Sequence, residues 1–90
     1  MEFRHQPEQQ RFVAVTEQGE AEIAYATPSD DVLDLHHTFV PDAARGQGVA
    51  GKLVDYAVRY AREHGKKVKA TCPYVRKWMD AHPAQQDLLV

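Results

Sequence analysis

Four short stretches of the first half of the chain contain apolar residues between turn signals, and residues 21–26 alternate around Ile23 and Tyr25. β-Branched and aromatic residues are frequent in these stretches, which is typical of β-strands. The pattern predicts strands at residues 3–6, 11–16, 21–26 and 32–40. Polar segments at residues 17–20, which include Gly19, and at residues 27–30, which include Pro28 and Asp30, predict turns between them. Because the strands follow one another closely, we expect an antiparallel meander.

The second half of the chain changes to helical spacing. Apolar residues recur on one face between residues 48 and 64, which predicts an amphipathic helix that ends at Gly65. A short strand at residues 66–71 and a second helix at residues 73–81 follow, and Pro73 suits the first turn of that helix. The order of four strands, helix, strand and helix predicts a single α+β domain spanning residues 1–90.

Composition narrows the class of protein. With 43% hydrophobic and 27% charged residues, the chain resembles an ordinary globular domain. No apolar run approaches the ~20 residues that a membrane-spanning helix needs, and the first residues lack the apolar stretch of a signal peptide. We therefore expect no membrane partner. Cys72 is the only cysteine, so no intramolecular disulfide can form, which favours the reducing cytoplasm.

The net charge of −2 is divided unevenly along the chain. Residues 1–42 contain nine acidic and two basic side chains, a charge of −7, whereas residues 43–90 contain four acidic and nine basic ones, a charge of +5. Such an asymmetry can direct an anionic ligand to the second half and a cationic one to the first. An ordinary solvated surface explains the same charges equally well.

The segment that joins the fourth strand to the first helix carries the strongest local motif, at residues 45–50 (Arg-Gly-Gln-Gly-Val-Ala). Its glycines allow the backbone to turn with the N–H groups facing outward. The helix that follows adds the positive end of its dipole. Together these features predict an anion site that suits phosphate. An ordinary strand-to-helix loop is the alternative.

Two other nucleotide-binding motifs fit this segment poorly. Residues 46–51 match the G-x-G-x-x-G pattern, but they follow the fourth predicted strand rather than the first, and five residues separate them from it. Thr71 and Cys72 stand where an acidic residue would bind a ribose. A P-loop is excluded because Leu53, rather than Ser or Thr, follows Lys52.

The motif at residues 45–50 and its placement resemble the pyrophosphate-binding motif Q/R-x-x-G-x-G/A of the GNAT N-acetyltransferases. Residues 37–41 (His-Thr-Phe-Val-Pro) and 72–75 (Cys-Pro-Tyr-Val) extend the resemblance to the minimal, Yjdj-like branch, over nearly the whole chain. It implies a truncated GNAT fold, a mostly antiparallel sheet of about five strands with a central and a C-terminal helix. The tail departs from that branch, because no aromatic residue follows Pro83 closely, so no function is expected of it.

The resemblance also implies a cofactor and an activity. Acetyl-CoA would be the acyl donor, and an amine on a small molecule or a protein would be the acceptor. Backbone groups near the end of the fourth strand would contact the pantetheine arm, and the glycine-rich turn would hold the pyrophosphate. The residues that would bind the cofactor are Phe39, Val40, Arg45, Gly46, Gln47, Gly48, Val49 and Ala50.

Cys72 and His37 are the candidate catalytic residues. Cys72 is the predicted N-cap of the second helix, where the dipole favours a thiolate, although the local sequence by itself favours a small buried apolar role, which is common for a free cysteine. Adjacent strand residues face opposite sides, so His36 and His37 should differ in orientation. The resemblance places Cys72 and His37 near the acetyl group, with His37 as a base; a structural histidine is the alternative.

Other chemistries have less support. The five histidines and Cys72 show no spacing typical of metal ligands, so we predict no metal. The lysines near residue 66 lack accompanying RNA-binding aromatic motifs, and the isoelectric point is about 6.2, so we do not expect nucleic-acid binding. The sequence favours an acetyl-CoA-dependent N-acetyltransferase. A CoA-binding or regulatory module with little turnover and a thioesterase or acyl carrier are the alternatives, and the oligomeric state is left open.

Overall fold

A five-stranded sheet forms the frame of the protein. A computed structural model describes all residues, 1–90. The strands are β1 (Glu2–Gln6), β2 (Arg11–Thr16), β3 (Gly19–Ser29), β4 (Val32–Phe39) and β5 (Lys67–Ala70). They lie side by side in chain order, and only β4 and β5 run parallel. The predicted α+β fold with a mostly antiparallel sheet is therefore confirmed.

Two helices pack with this sheet, and their ends match the predicted ones to within one residue. They are α1 (Val49–Glu63) and α2 (Pro73–Asp80). Gly48, with φ +72°, caps α1 from outside, and Gly65, with φ +66°, turns the chain just beyond it. A left-handed residue cannot continue an α-helix, so these glycines set both ends. Neither helix has the length and apolar character that crossing a bilayer requires.

One face of the sheet packs against α1 to form the core. Its 20 buried residues come from strands β2 to β5, both helices, the adjoining segments and the tail, and Phe3 of β1 packs against them partly buried. The opposite face carries charged side chains, among which Arg11 and Glu22 form an ion pair of 2.7 Å. Val13 on this face is 0% exposed because Arg4 and Glu22 stand directly opposite it on the neighbouring strands and cover it.

Strand β3 is longer than predicted. The sequence predicts a strand only at residues 21–26, whereas β3 spans Gly19–Ser29. Its hairpin with β2 has a two-residue turn at Glu17 and Gln18 in place of the predicted turn at residues 17–20. The ladder to β4 is irregular between Ala26 and Ser29, which accommodates Pro28, a residue that cannot donate a ladder hydrogen bond.

The tail beyond α2 is ordered and closes the outer edge of β5. Two short 3-10 helices lie earlier in the chain, at Pro7–Gln9 and Asp42–Ala44, and a third, in the tail, spans Pro83–Leu88. After the last of these, Leu89 bridges to Val68, and the Val90 N–H donates to the Val68 carbonyl over 3.1 Å. Arg62 on α1 contacts the Asp87 carboxylate at 2.8 Å. The edge of β5 is thereby covered rather than left free to pair with another chain.

Candidate active site

The glycine-rich turn begins with a change of backbone direction. A 3-10 turn at Asp42–Ala44 ends when the Arg45 N–H donates to the Asp42 carbonyl over 3.2 Å. Gly46, with φ +85°, and Gly48, with φ +72°, then adopt left-handed conformations. Residues with a Cβ atom rarely adopt such angles, which explains why glycine occupies these positions.

The turn leaves a row of backbone donors free. No N–H group from Gly46 to Gly51 donates to an acceptor in the protein, and the first helical bond of α1 runs from the Lys52 N–H to the Gly48 carbonyl. No side chain caps the helix. Unpaired N–H groups and the positive end of the helix dipole coincide here, so the turn can bind an anion such as a phosphate.

A cleft with a volume of about 380 Å³ lies beside this turn, between α1, α2 and the end of β4. The residues lining it are Thr38, Val40, Ala44, Arg45, Gly46, Gly48, Val49, Ala50 and Tyr74. Six predicted cofactor-binding residues are among them. Phe39 and Gln47 are adjacent in sequence to lining residues but lie outside the cleft wall.

Arg45 is the only cationic side chain that lines the cleft. Its Nη1 lies 3.3 Å from the Asp42 carboxylate, and both side chains are exposed. An exposed ion pair of this kind contributes little to stability and rearranges easily. Arg45 can therefore turn from Asp42 to an anion at the adjacent N–H groups.

Strands β4 and β5 separate near the cleft. They pair from Val32 with Lys67 to Leu35 with Ala70. The Cys72 N–H then donates to the Leu35 carbonyl over 2.9 Å, after which the chain enters α2. Beyond Leu35, the edge of β4 that faces β5 has no partner strand. The backbone groups near Phe39 and Val40 on that edge therefore face the opening between the two strands.

A β-bulge in β4 changes the predicted orientation of the two histidines. Ala24 of β3 pairs with His37, but Tyr25 pairs with Leu35, so His36 is an extra residue. The expectation that His36 and His37 face opposite sides of the sheet is wrong, because simple alternation does not hold across a bulge. Both side chains are exposed, and no hydrogen bond joins His37 to Cys72.

Cys72 caps α2, as the sequence predicts, and its side chain is 7% exposed. Its polar partner is Thr38, whose Oγ1 lies 3.4 Å from Sγ. Burial raises the pKa of the thiol, but the Thr38 hydroxyl and the amides of Val75 and Tyr74 outweigh burial and hold this pKa below its ordinary value. The two amides favour the thiolate, although the Cys72 side chain makes no N-cap hydrogen bond to α2.

Sequence reasoning missed three residues that line the cleft, Ala44 and two with polar side chains. Thr38 and Tyr74 both line the cleft, and each lies inside a motif that carried the family resemblance. The signal that could have identified them as site residues is their position next to His37 and Pro73 in those motifs. No carboxylate or imidazole lines the cleft. The Cys72 thiol reaches this site through its contact with Thr38.

The fold and the site together define a class of protein. It is a small α+β domain whose glycine-rich turn, at the start of the central helix, leaves backbone N–H groups unpaired. The family model of the GCN5-related N-acetyltransferases matches residues 11–88, which is most of the chain. This protein belongs to that family. The family assignment agrees with the truncated fold and with the position of the glycine-rich turn.

Relatives and one solved structure support the assignment. Protein NATD1 from Gallus gallus, Mus musculus and Homo sapiens is 37% identical over 68 residues, which cover 76% of this chain. The match spans only 60–62% of the length of these curated relatives. The solution NMR structure of a GCN5-like protein from Staphylococcus aureus covers 99% of this chain and 87% of its own, with a TM-score of 0.77 and 27% identity.

Proposed function

We propose that this protein binds acetyl-CoA and transfers its acetyl group to an amine, as a member of the minimal, Yjdj-like branch of its family. The observation that carries the proposal is the row of free N–H groups from Gly46 to Gly51 at the start of α1. These donors and the helix dipole suit a pyrophosphate. Arg45 supplies a cation at the same place.

The cleft suggests how the cofactor lies. The pyrophosphate binds at the glycine-rich turn, and the pantetheine arm follows the unpaired edge of β4 past Phe39 and Val40. The thioester then lies between β4 and the start of α2, near Thr38 and Tyr74, which line that part of the cleft. Holding the acyl carbon at a fixed place converts the reaction with a neighbouring group into an intramolecular one.

Two routes of acetyl transfer differ in their support. In the first, the Cys72 thiolate attacks the acetyl carbon, a new carbon–sulfur bond forms, and CoA leaves as its thiolate. An amine then attacks acetyl-Cys72, and the amide product leaves with release of a proton and the Cys72 thiolate. The lowered thiol pKa supports this route.

In the second route, the amine attacks acetyl-CoA directly and His37 takes its proton. His37 is exposed and pairs with Ala24, and it makes no hydrogen bond to Cys72. This placement gives the second route less support than the first. A CoA-binding or regulatory module with little turnover is the second candidate function, favoured by the absence of a carboxylate or imidazole in the cleft wall.

The acceptor is proposed only as a class, an amine on a small molecule or a protein. The acidic first half of the chain, with a charge of −7 over residues 1–42, favours a cationic amine. Action in the cytoplasm, where acetyl-CoA and a reduced Cys72 would coexist, stays a prediction.

Calorimetric titration with CoA tests the binding site. Arg45→Glu places a negative charge beside the pyrophosphate, so we expect at least roughly tenfold weaker binding, equivalent to about 1.4 kcal/mol. Arg59→Glu is the matched control, because Arg59 is an exposed arginine on α1 outside the cleft and carries the same charge change. Equal affinities of the two variants would contradict the site.

Mass spectrometry after incubation with acetyl-CoA distinguishes the routes. Acetyl-Cys72 that disappears when amines are added supports the covalent route. Transfer to amines by Cys72→Ala at the wild-type rate contradicts it, and loss of transfer in His37→Ala would then indicate direct attack. CoA binding without transfer to any amine tested would favour the regulatory module.

A further inference from the structure

The Cys72 backbone is held from two sides. Its N–H donates to the Leu35 carbonyl on β4 over 2.9 Å, and its carbonyl accepts from the Arg76 N–H on α2 over 3.0 Å. These bonds fix where the Cα atom lies. The direction of the sulfur depends on the polar group that it meets, and the structure gives it one side-chain partner, the hydroxyl of Thr38.

The bulge in β4 brings Thr38 to this sulfur. Directly opposed residues of paired strands have their side chains on the same face. Leu35 opposes Tyr25 and Thr38 opposes Ile23, and both β3 residues point into the core. Leu35 and Thr38 are three positions apart, so a regular strand would place them on opposite faces. The extra residue, His36, shifts the alternation and turns the Thr38 hydroxyl inward to Cys72.

No charged side chain takes the same role. His37 opposes Ala24 and is exposed. Arg76 and Lys77, one turn into α2, are exposed and make no contact with the sulfur. The groups directed at the thiol are the Thr38 hydroxyl and backbone amides. Thr38 lines the cleft and is the one residue whose side chain hydrogen-bonds to the Cys72 sulfur.

We propose that Thr38 is a positioning residue of this site, whose hydroxyl donates a hydrogen bond to the Cys72 sulfur and holds it toward the cleft as a thiolate. The inference rests on the proposed function, in which Cys72 accepts the acetyl group. Thr38 keeps its own proton throughout the exchange between CoA and Cys72. Its hydrogen bond weakens when the sulfur becomes part of the neutral thioester, because hydrogen bonds to charged acceptors are the stronger ones.

The rate of alkylation by iodoacetamide, followed as a function of pH, tests this directly, because Cys72 is the only cysteine. Thr38→Val keeps the shape and removes the hydroxyl. We expect its alkylation profile to move to higher pH, with roughly tenfold slower alkylation near neutrality, the effect of about one pKa unit. Thr38→Ser should keep the wild-type profile. Thr71→Val is the control, because the Thr71 hydroxyl donates to Asp34 rather than to the sulfur.

A wild-type profile in Thr38→Val would overturn the proposal. If that variant folds poorly, Thr38→Ser and Thr38→Ala replace it, since they lose the same methyl group and differ only in the hydroxyl. Alkylation requires neither acetyl-CoA nor an acceptor, so it reports on Thr38 even if no acetyl transfer is found. Where transfer occurs, Thr38→Val should lower kcat and leave KM for acetyl-CoA unchanged.

Discussion

The two ends of α1 meet the rest of the protein in different ways. At its start, glycines replace side chains, the N–H groups from Gly46 to Gly51 are unpaired, and Arg45 is exposed. At its other end, aromatic rings of α1 pack against rings of the sheet. The rings packed there are those of His5, Phe12, Tyr25, Tyr56, Tyr60 and His64.

This contrast separates aromatic packing at one end of α1 from unpaired backbone donors at the other. The aromatic end buries apolar surface and includes a hydrogen bond of 2.6 Å between His5 Nε2 and the Tyr25 hydroxyl. The glycine end buries Ala44 and Val49 but leaves its backbone donors unpaired, as an anion site requires. Sites of this kind commonly lie on segments positioned by a rigid scaffold. Substitutions at the two ends should therefore have different consequences.

The largest expected effect is on stability at the aromatic end. Phe12 is 0% exposed, so Phe12→Ala leaves a cavity and should lower the free energy of unfolding by about 3–5 kcal/mol. Urea denaturation measures this loss. Phe39→Ala is the control, because Phe39 is 49% exposed near the opposite end and should change stability little. A similar loss in both variants would remove the contrast.

The next effect compares a glycine at each end of α1. Gly48 and Gly65 both have positive φ angles and no heavy atom near their Cβ positions. Gly48→Ala and Gly65→Ala should each destabilise the protein by about 1–2 kcal/mol, the cost of a left-handed residue with a Cβ atom. Only Gly48→Ala should also weaken CoA binding, by at least roughly tenfold, because its methyl group enters the cleft. Calorimetry at matched folded fractions measures the CoA affinity of both variants. An equal loss of affinity in Gly65→Ala would contradict the assignment of the binding site to the glycine-rich turn.

A third substitution compares Gly51 with Gly48, two glycines at the same end of α1. Gly51 lies inside α1, and a Cβ atom there would be 3.5 Å from the Tyr74 hydroxyl and 3.8 Å from Trp78 Nε1, both ordinary contacts. Gly51→Ala should therefore stabilise the protein by about 0.5–1 kcal/mol, because alanine favours a helix. Its CoA affinity should equal that of the wild type. Destabilisation would show that α2 needs a closer approach to α1.

The smallest effect concerns pH at the aromatic end. Burial, with the charge of His64, holds the pKa of His5 below its ordinary value of 6.5. The folded state therefore binds fewer protons than the unfolded state, and the contribution of His5 is complete above 6.5 and declines as the pH falls toward the lowered pKa. Because the ring is partly exposed, the effect is small. Unfolding free energies at neutral and mildly acidic pH should differ less in His5→Gln than in the wild type.

His36→Gln provides the comparison for this measurement, since His36 is exposed and makes no side-chain hydrogen bond. The change in stability with pH should be smaller in His5→Gln than in His36→Gln. If the two variants behave in the same way, the aromatic end has no part in the acid response.

Local patterns in the sequence predicted much of this architecture. Alternation predicted the strands, helical spacing predicted α1 and α2, and Gly65 and Pro73 marked helix boundaries, because these signals act between residues near each other in the chain. The glycine-rich turn and the N-cap position of Cys72 followed in the same way. The family resemblance added the order of the motifs along the chain. The family match confirms that the chain belongs to the GCN5-related N-acetyltransferases.

Only the tertiary structure decided which side chains meet. The bulge at His36 depends on pairing with β3 and reverses the orientation that alternation predicts for β4. The contact between Thr38 and Cys72 joins residues 34 positions apart, and Leu89 reaches Val68 only after the tail has crossed the sheet edge. A shift of one residue in a strand moves every following side chain to the other face. The amino-acid pattern thus determined the elements and the glycine-rich turn, whereas strand register determined the side-chain partner of the Cys72 thiol.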